Sequence, residues 1–89
     1  VFLSGRDSVC RPETEKALLR AFPSLEWSLR LHMRPEGDPR RDDHVKAELF
    51  DKHIRDRYRV VAVLDDRDQV VRMWRRMGLP TFQVAEGDF

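Results

Sequence analysis

Val60-Val61-Ala62-Val63-Leu64-Asp65-Asp66-Arg67 is the stretch that decides the fold. A short apolar run rich in β-branched residues ends abruptly on two adjacent carboxylates. Continuous rather than alternating apolarity predicts a strand covered on both faces, the habit of parallel sheets flanked by helices. Open α/β sheets bind their ligands beyond the carboxyl ends of such strands, where Asp65 and Asp66 fall.

The flanking sequence repeats the pattern. Val1-Phe2-Leu3 reads as a strand end running into a Ser4-Gly5-Arg6 loop. Pro12 suits a first helical turn, with Glu13 and Glu15 near the positive end of the helix dipole. That helix should reach about Phe22, bury Leu18, Ala21 and Phe22, and stop at Pro23. Leu29, Leu31 and Met33 alternate with Ser28, Arg30 and His32 as a strand of period two. Arg34 to Arg41, with two prolines and a glycine, is a loop. Asp42 or Asp43 can cap a second helix carrying Val45, Leu49, Phe50 and Ile54 and ending near Tyr58. Asp68 can cap a third, carrying Val70, Val71, Met73, Trp74 and Met77, with Gly78 and Pro80 as terminators. Thr81-Phe82-Gln83-Val84 is the last strand. Strands alternating with helices make right-handed crossovers, so the expected class is α/β with a parallel sheet.

Composition narrows the function. Eighty-nine residues make one small domain of marginal stability. Seventeen basic against 16 acidic residues, a net charge of +1, exclude a strongly basic nucleic-acid tail and an acidic tail. Forty per cent apolar residues with eight aromatics exclude a disordered polyelectrolyte. No apolar run approaches the roughly 18 residues of a membrane span. Cys10 is the sole cysteine, so no disulfide framework exists, and a reducing, cytoplasmic compartment is expected. The excess of arginine over lysine reads as compositional bias as much as phosphate binding.

Four groups sit where strands end or helices begin. They are Ser4, Gly5 and Arg6; Asp42 with Lys46, four apart on one helix face; Asp65 with Asp66; and Arg34, Arg40 and Arg41 in one loop. A hydroxyl, a lysine, adjacent carboxylates and arginines together suit a phosphate and a hard cation. Two carboxylates with waters and phosphate oxygens complete a magnesium octahedron, and a lysine offsets the charge of phosphoryl transfer. Two of these have a plain reading, an ordinary turn for Ser4-Gly5-Arg6 and a surface ion pair worth less than about 1 kcal/mol for Asp42 with Lys46, whereas uncompensated carboxylates repel at the end of a buried strand, which sets Asp65-Asp66 apart. His44 and His53, nine apart, lack metal-ligand spacing and read as surface residues. Arg72, Arg75 and Arg76 read as a solvated helix face. Asp66-Arg67-Asp68 lacks the Gly-Thr turn of a nucleophilic aspartate pair.

Taken together, these groups resemble the haloacid dehalogenase (HAD) phosphatase superfamily, with Ser-Gly-Arg as its second motif, Lys46 its third and Asp65-Asp66 its fourth. Arg40 to Lys46, Asp65 to Gly78 and Gln83-Val84-Ala85-Glu86-Gly87-Asp88-Phe89 are more specific. They are similar to the 3′-phosphatase domain of bacteriophage-type polynucleotide kinase–phosphatases, and the likeness covers essentially the whole chain. The resemblance implies a Rossmann-like three-layer sheet with helices on both faces. It implies that Ser4 and Gly5 bind the transferring phosphoryl group, Arg6 holds the substrate phosphate, Lys46 pairs with phosphate and nucleophile with Asp42 beside it, and Asp65 and Asp66 hold magnesium.

The superfamily's first motif, Asp-x-Asp-Gly-Thr, carries the nucleophilic aspartate and the general acid. It lies upstream of Ser-Gly-Arg on the strand at the centre of the family sheet. Residues 1–89 are therefore expected to be the C-terminal part of one HAD-like phosphatase domain, with that first, central strand missing. The implied function is a magnesium-dependent phosphomonoesterase removing 3′-phosphate from nucleic-acid ends or nucleotides during repair. It would act through an aspartyl-phosphate formed upstream, with a kinase domain possible in the intact chain. The alternatives are a non-catalytic module that binds nucleic-acid ends by their phosphate, and a phosphatase of small phosphorylated metabolites.

Overall fold

Strand and helix alternate as expected in the structure, a computed structural model that describes residues 1–89. The elements are β1 (Phe2–Asp7), α1 (Arg11–Ala21), β2 (Leu31–Arg34), α2 (Asp42–His53), β3 (Val63–Asp65), α3 (Asp68–Arg76) and β4 (Thr81–Gln83). All strand pairing is parallel. Phe2, Leu3 and Ser4 lie opposite Leu31, His32 and Met33, and Val63, Leu64 and Asp65 lie opposite Thr81, Phe82 and Gln83. The result is two separate two-stranded sheets, β1–β2 and β3–β4.

Two isolated strands are not stable in water without a packed face, and here the helices supply it. Helix α2 packs on β1, β2 and α3, while α3 packs on β3 and β4, so the α2–α3 contact joins the two halves. The core lies at that contact: Phe50 and Ile54 from α2 meet Val70, Met73 and Trp74 from α3. The Phe50 and Trp74 rings meet edge to face with centroids 5.6 Å apart, the geometry favoured by aromatic quadrupoles. Leu3, Val60 and Val63 lean on this cluster from the two sheets. The third helix buries Val70, Val71, Met73 and Trp74, the face its spacing predicts.

Between β1 and β3 runs a groove of about 490 Å³, and 12 of its 14 lining residues are apolar. Phe2 and Leu3 form one wall, residues 60–64 the other, and Phe50, Ile54 and Trp74 line it as well. The expectation that residues 60–64 are covered on both faces is therefore corrected. Only Val63–Asp65 is paired, on the β4 side, and Val61 and Leu64 are 81% and 69% exposed. Their apolarity suits a covered position that nothing within the chain covers.

Several local expectations also change. Ser4-Gly5-Arg6 belongs to β1, which runs on to Asp7 through an irregularity in its pairing between Ser4 and Asp7. Two extra residues on β1, Gly5 and Arg6, fall in this irregularity, and such insertions bend a strand and re-aim its side chains. On α1, Leu18 is half-buried and Ala21 and Phe22 are exposed; Thr14 is the buried residue, its hydroxyl donating to the Cys10 carbonyl at 2.8 Å. Helix α2 stops at His53 rather than Tyr58, because the Ile54 and Arg55 N–H groups both turn to the Phe50 carbonyl. The caps of α2 and α3 are Arg41 and Arg67, with Asp42, Asp43 and Asp68 inside the first turns. His53 is no isolated surface residue: its ring stacks on His32 at 4.0 Å, 7° from parallel.

Candidate active site

Three chain segments converge at one end of the groove: the far part of β1, the first turn of α2, and the turn from β3 into α3. Asp42 and Lys46, one helical turn apart, both face inward and are buried. Lys46 Nζ lies 3.2 Å from Asp65 Oδ2 and 3.7 Å from Asp42 Oδ2. The lysine thus ties α2 to β3. Asp42 also faces Arg34 Nη2 at 3.6 Å and Arg67 Nη1 at 3.4 Å. A single carboxylate collects three cations, which distinguishes this pair from an isolated surface ion pair.

Gly5 explains how α2 comes so close to β1. A Cβ at this position would overlap the Asp42 carboxylate, so only glycine lets the strand pass. The Gly5 carbonyl accepts from Arg34 Nε at 2.6 Å, which also fixes β1 against the end of β2. Ser4 Oγ accepts the Arg6 backbone N–H at 3.1 Å, leaving its proton free to donate elsewhere. Arg6 is exposed.

Asp65 is held from both sides. Oδ2 accepts from Lys46 Nζ and from Trp74 Nε1, each at 3.2 Å, and Oδ1 accepts the backbone N–H groups of Asp66 and Arg67 at 2.9 and 3.4 Å. Burial works against its ionisation, but the Lys46 charge and the hydrogen bonds from Trp74, Lys46 and Arg67 outweigh it. Its carboxyl therefore lies below the ordinary 3.8. Asp66, by contrast, is exposed, and its backbone rather than its carboxylate makes the bonds at this turn. Asp42 Oδ1 is buried without a hydrogen-bond donor, an arrangement that costs about 1–3 kcal/mol unless a partner arrives.

The structure therefore gathers Gly5, Asp42, Lys46 and Asp65 at one place, with Ser4 and Arg6 on the strand beside them and Asp66 at its open edge. The loop arginines part company. Arg34 is committed to Gly5 and to the Asp38 and Arg40 carbonyls, Arg40 to Asp38 and Glu48, and Arg41 to Asp43 and Gln69. Arg67 and Trp74, which the sequence reading left out of the site, hold Asp42 and Asp65 respectively. The available signal for Arg67 was its position directly after the two aspartates.

The C-terminal residues close over this turn. The Gly87 carbonyl accepts the Asp68 N–H at 2.8 Å, and a Cβ on Gly87 would strike the Asp66 backbone. Arg67 Nε then donates to the Phe89 carbonyl at 2.5 Å, with its guanidinium carbon 5.0 Å from the Phe89 ring centroid.

No three histidine, cysteine or acidic side chains converge on one point. A closed zinc-type cage requires such a set, whereas magnesium takes one or two carboxylates with waters and phosphate oxygens. The uncommitted Asp66 carboxylate offers hard oxygen donors of the second kind, whereas both Asp65 oxygens already accept hydrogen bonds and Asp65 joins a cation only by giving some of them up.

A family model described as the polynucleotide kinase PNKP phosphatase domain matches residues 1–89. A protein of Autographa californica nuclear polyhedrosis virus, named as a bifunctional polynucleotide kinase/RNA ligase, is 42% identical over 81 residues, 91% of this chain. Those residues span only 11% of that relative. Two solved structures of a Pnkp1/Rnl/Hen1 complex, one named as an RNA repair complex, contain a chain that superposes on all of this one. Their TM-scores are 0.88 and 0.87, at 46% and 44% identity. This chain covers 28% and 30% of those chains. Matched by that family model over its whole length, the chain belongs to the family of polynucleotide kinase phosphatase domains of the HAD type.

Proposed function

We propose that residues 1–89 form the C-terminal part of a magnesium-dependent phosphomonoesterase domain that removes 3′-phosphate from nucleic-acid ends. The observation that carries this reading is Lys46, buried between Asp42 and Asp65 at the carboxyl end of β3. A lysine in that position offsets the negative charge that develops on a transferring phosphoryl group, in surroundings dry enough to strengthen the effect. The Ser4 hydroxyl donates to a phosphoryl oxygen, and exposed Arg6 holds the substrate phosphate. Magnesium, held by Asp65 and Asp66, supplies further neutralisation of phosphate charge when bound.

The nucleophilic aspartate lies on a strand upstream of Val1 that fills the groove between β1 and β3, making one continuous three-layered sheet. That strand satisfies both inner edges, covers Val61 and Leu64, and brings a donor to Asp42 Oδ1. The aspartate attacks phosphorus, a general acid protonates the departing 3′-oxygen, and water then hydrolyses the aspartyl-phosphate. A kinase domain in the same polypeptide fits the company this family keeps.

The test is phosphate release from a 3′-phosphorylated oligonucleotide by the protein that contains this chain. Magnesium-dependent release that drops about 10²–10³-fold in Lys46→Ala is expected. Unchanged release in that variant would overturn the assignment.

A further inference from the structure

Trp74 is 2% exposed and belongs to the core, its ring edge to face with that of Phe50. At one atom it reaches beyond the core. Nε1 donates to Asp65 Oδ2 at 3.2 Å, and Lys46 Nζ donates to the same oxygen at the same distance. A buried indole N–H needs an acceptor, and a backbone carbonyl would serve that need as well. The acceptor here is instead a carboxylate oxygen that the core shares with the polar cluster.

The two donors on Asp65 Oδ2 differ in kind. Lys46 carries its ammonium on a flexible stem, and Asp42 Oδ2 at 3.7 Å attracts it from the other side. On the phosphatase reading it also serves the phosphoryl group. Trp74 is packed among Phe50, Ile54, Val70 and Met73, so its N–H keeps one direction. The backbone N–H groups of Asp66 and Arg67 hold the other oxygen, Oδ1. Of the two donors on Oδ2, only Trp74 stays in place when Lys46 shares its charge with a phosphate.

We infer that Trp74 is a positioning residue for phosphoryl transfer, its indole N–H holding Asp65 Oδ2 where it keeps the Lys46 ammonium aligned. The role rests on the phosphatase reading of Lys46 and extends it into the core beneath. Without the N–H, Oδ2 retains Lys46 as its donor and draws the lysine away from phosphate. The bond matters most when charge develops on the phosphoryl group, not when substrate is taken up. Its loss therefore lowers kcat and leaves KM close to its original value.

The experiment replaces the Trp74 indole by benzothiophene in the full protein containing this chain. Sulfur then stands where the N–H was, so shape and apolar contacts are kept while the donor is lost. With a 3′-phosphorylated oligonucleotide in magnesium, kcat should fall about 10- to 100-fold with KM little changed. Made in Lys46→Ala, the same replacement should barely alter the residual kcat, because groups acting as a unit do not add. A second readout leaves Trp74 intact: its indole N–H resonance should shift in Lys46→Ala, while that of exposed Trp27 stays in place. An unchanged kcat in the benzothiophene protein, an equal fall with and without Lys46, or an unmoved resonance overturns the role. The phosphatase reading is scored separately: release that survives Lys46→Ala breaks that reading whatever Trp74 does.

Discussion

The polar cluster and the apolar groove meet at Asp65 and Trp74, and they differ in how complete they are. The cluster is assembled: Lys46, Asp42, Asp65, Arg34 and Arg67 hold one another at 3.2–3.7 Å. The groove is open, with Val61 and Leu64 turned to solvent. The difference follows from what each draws on. The cluster is built from the first turn of α2 and the turn after β3, both fixed by the α2–α3 core. The groove needs backbone partners along β1 and β3 that no segment of this chain supplies.

The largest expected effect comes from placing a charge in the groove. Val61→Asp should change the stability of the isolated chain by no more than about 0.5 kcal/mol, as exposed substitutions do. In the longer protein, where the proposed strand would cover the position, an unpaired buried carboxylate should cost about 3–5 kcal/mol. Denaturant unfolding of both forms measures the difference. An equal effect in the two would mean that the groove stays open.

Next come two changes at the cluster. Lys46→Ala leaves Asp42 and Asp65 buried with less compensation, so it should lower stability by about 1–3 kcal/mol as well as turnover. Asp66→Asn removes an exposed carboxylate with no partner, so its effect on stability should stay within about 0.5 kcal/mol while turnover falls. Chemical denaturation beside a phosphate-release assay separates them, and an equal loss of stability would show that Asp66 is as much a structural anchor as Lys46.

The smallest effect is expected at the far side of α2. Burial, then His53, then Arg11, Arg57 and the N-terminal amine, hold the His32 imidazole below its ordinary value of 6.5. The folded state then binds fewer protons than the unfolded chain. Its contribution is complete above 6.5 and is lost as pH falls through the folded value. Melting temperature should therefore decline on acidification below about pH 6.5, and less so in His32→Phe. Identical pH profiles for the two proteins would remove the stacked pair from the account.

These comparisons also show what a single sequence can disclose. The alternation of elements, the buried face of α3 and the pairing of Asp42 with Lys46 follow from spacing, because helical and strand periods place side chains before any tertiary contact forms. Burial of α1 did not follow: apolarity at Ala21 and Phe22 does not specify which element comes to cover them. Capping failed for a different reason. The Asp42 carboxylate had two uses, the open N–H groups of α2 or the cations of Lys46, Arg34 and Arg67, and three cations prevailed. The His32–His53 stack depends on distant segments meeting, which no local pattern encodes. Leu64 shows the converse, since its sequence predicts burial that the chain alone does not provide.

On this reading, the end of the molecule around Lys46 handles phosphate and is completed by a strand lying between β1 and β3. The most direct measurement is phosphate release from a 3′-phosphorylated oligonucleotide in magnesium by residues 1–89 alone, beside the longer protein that contains them. Release is expected from the longer protein and none of consequence from the 89 residues alone, since positioning groups do little without a nucleophile. Release by the isolated chain at the rate of the longer protein would contradict it.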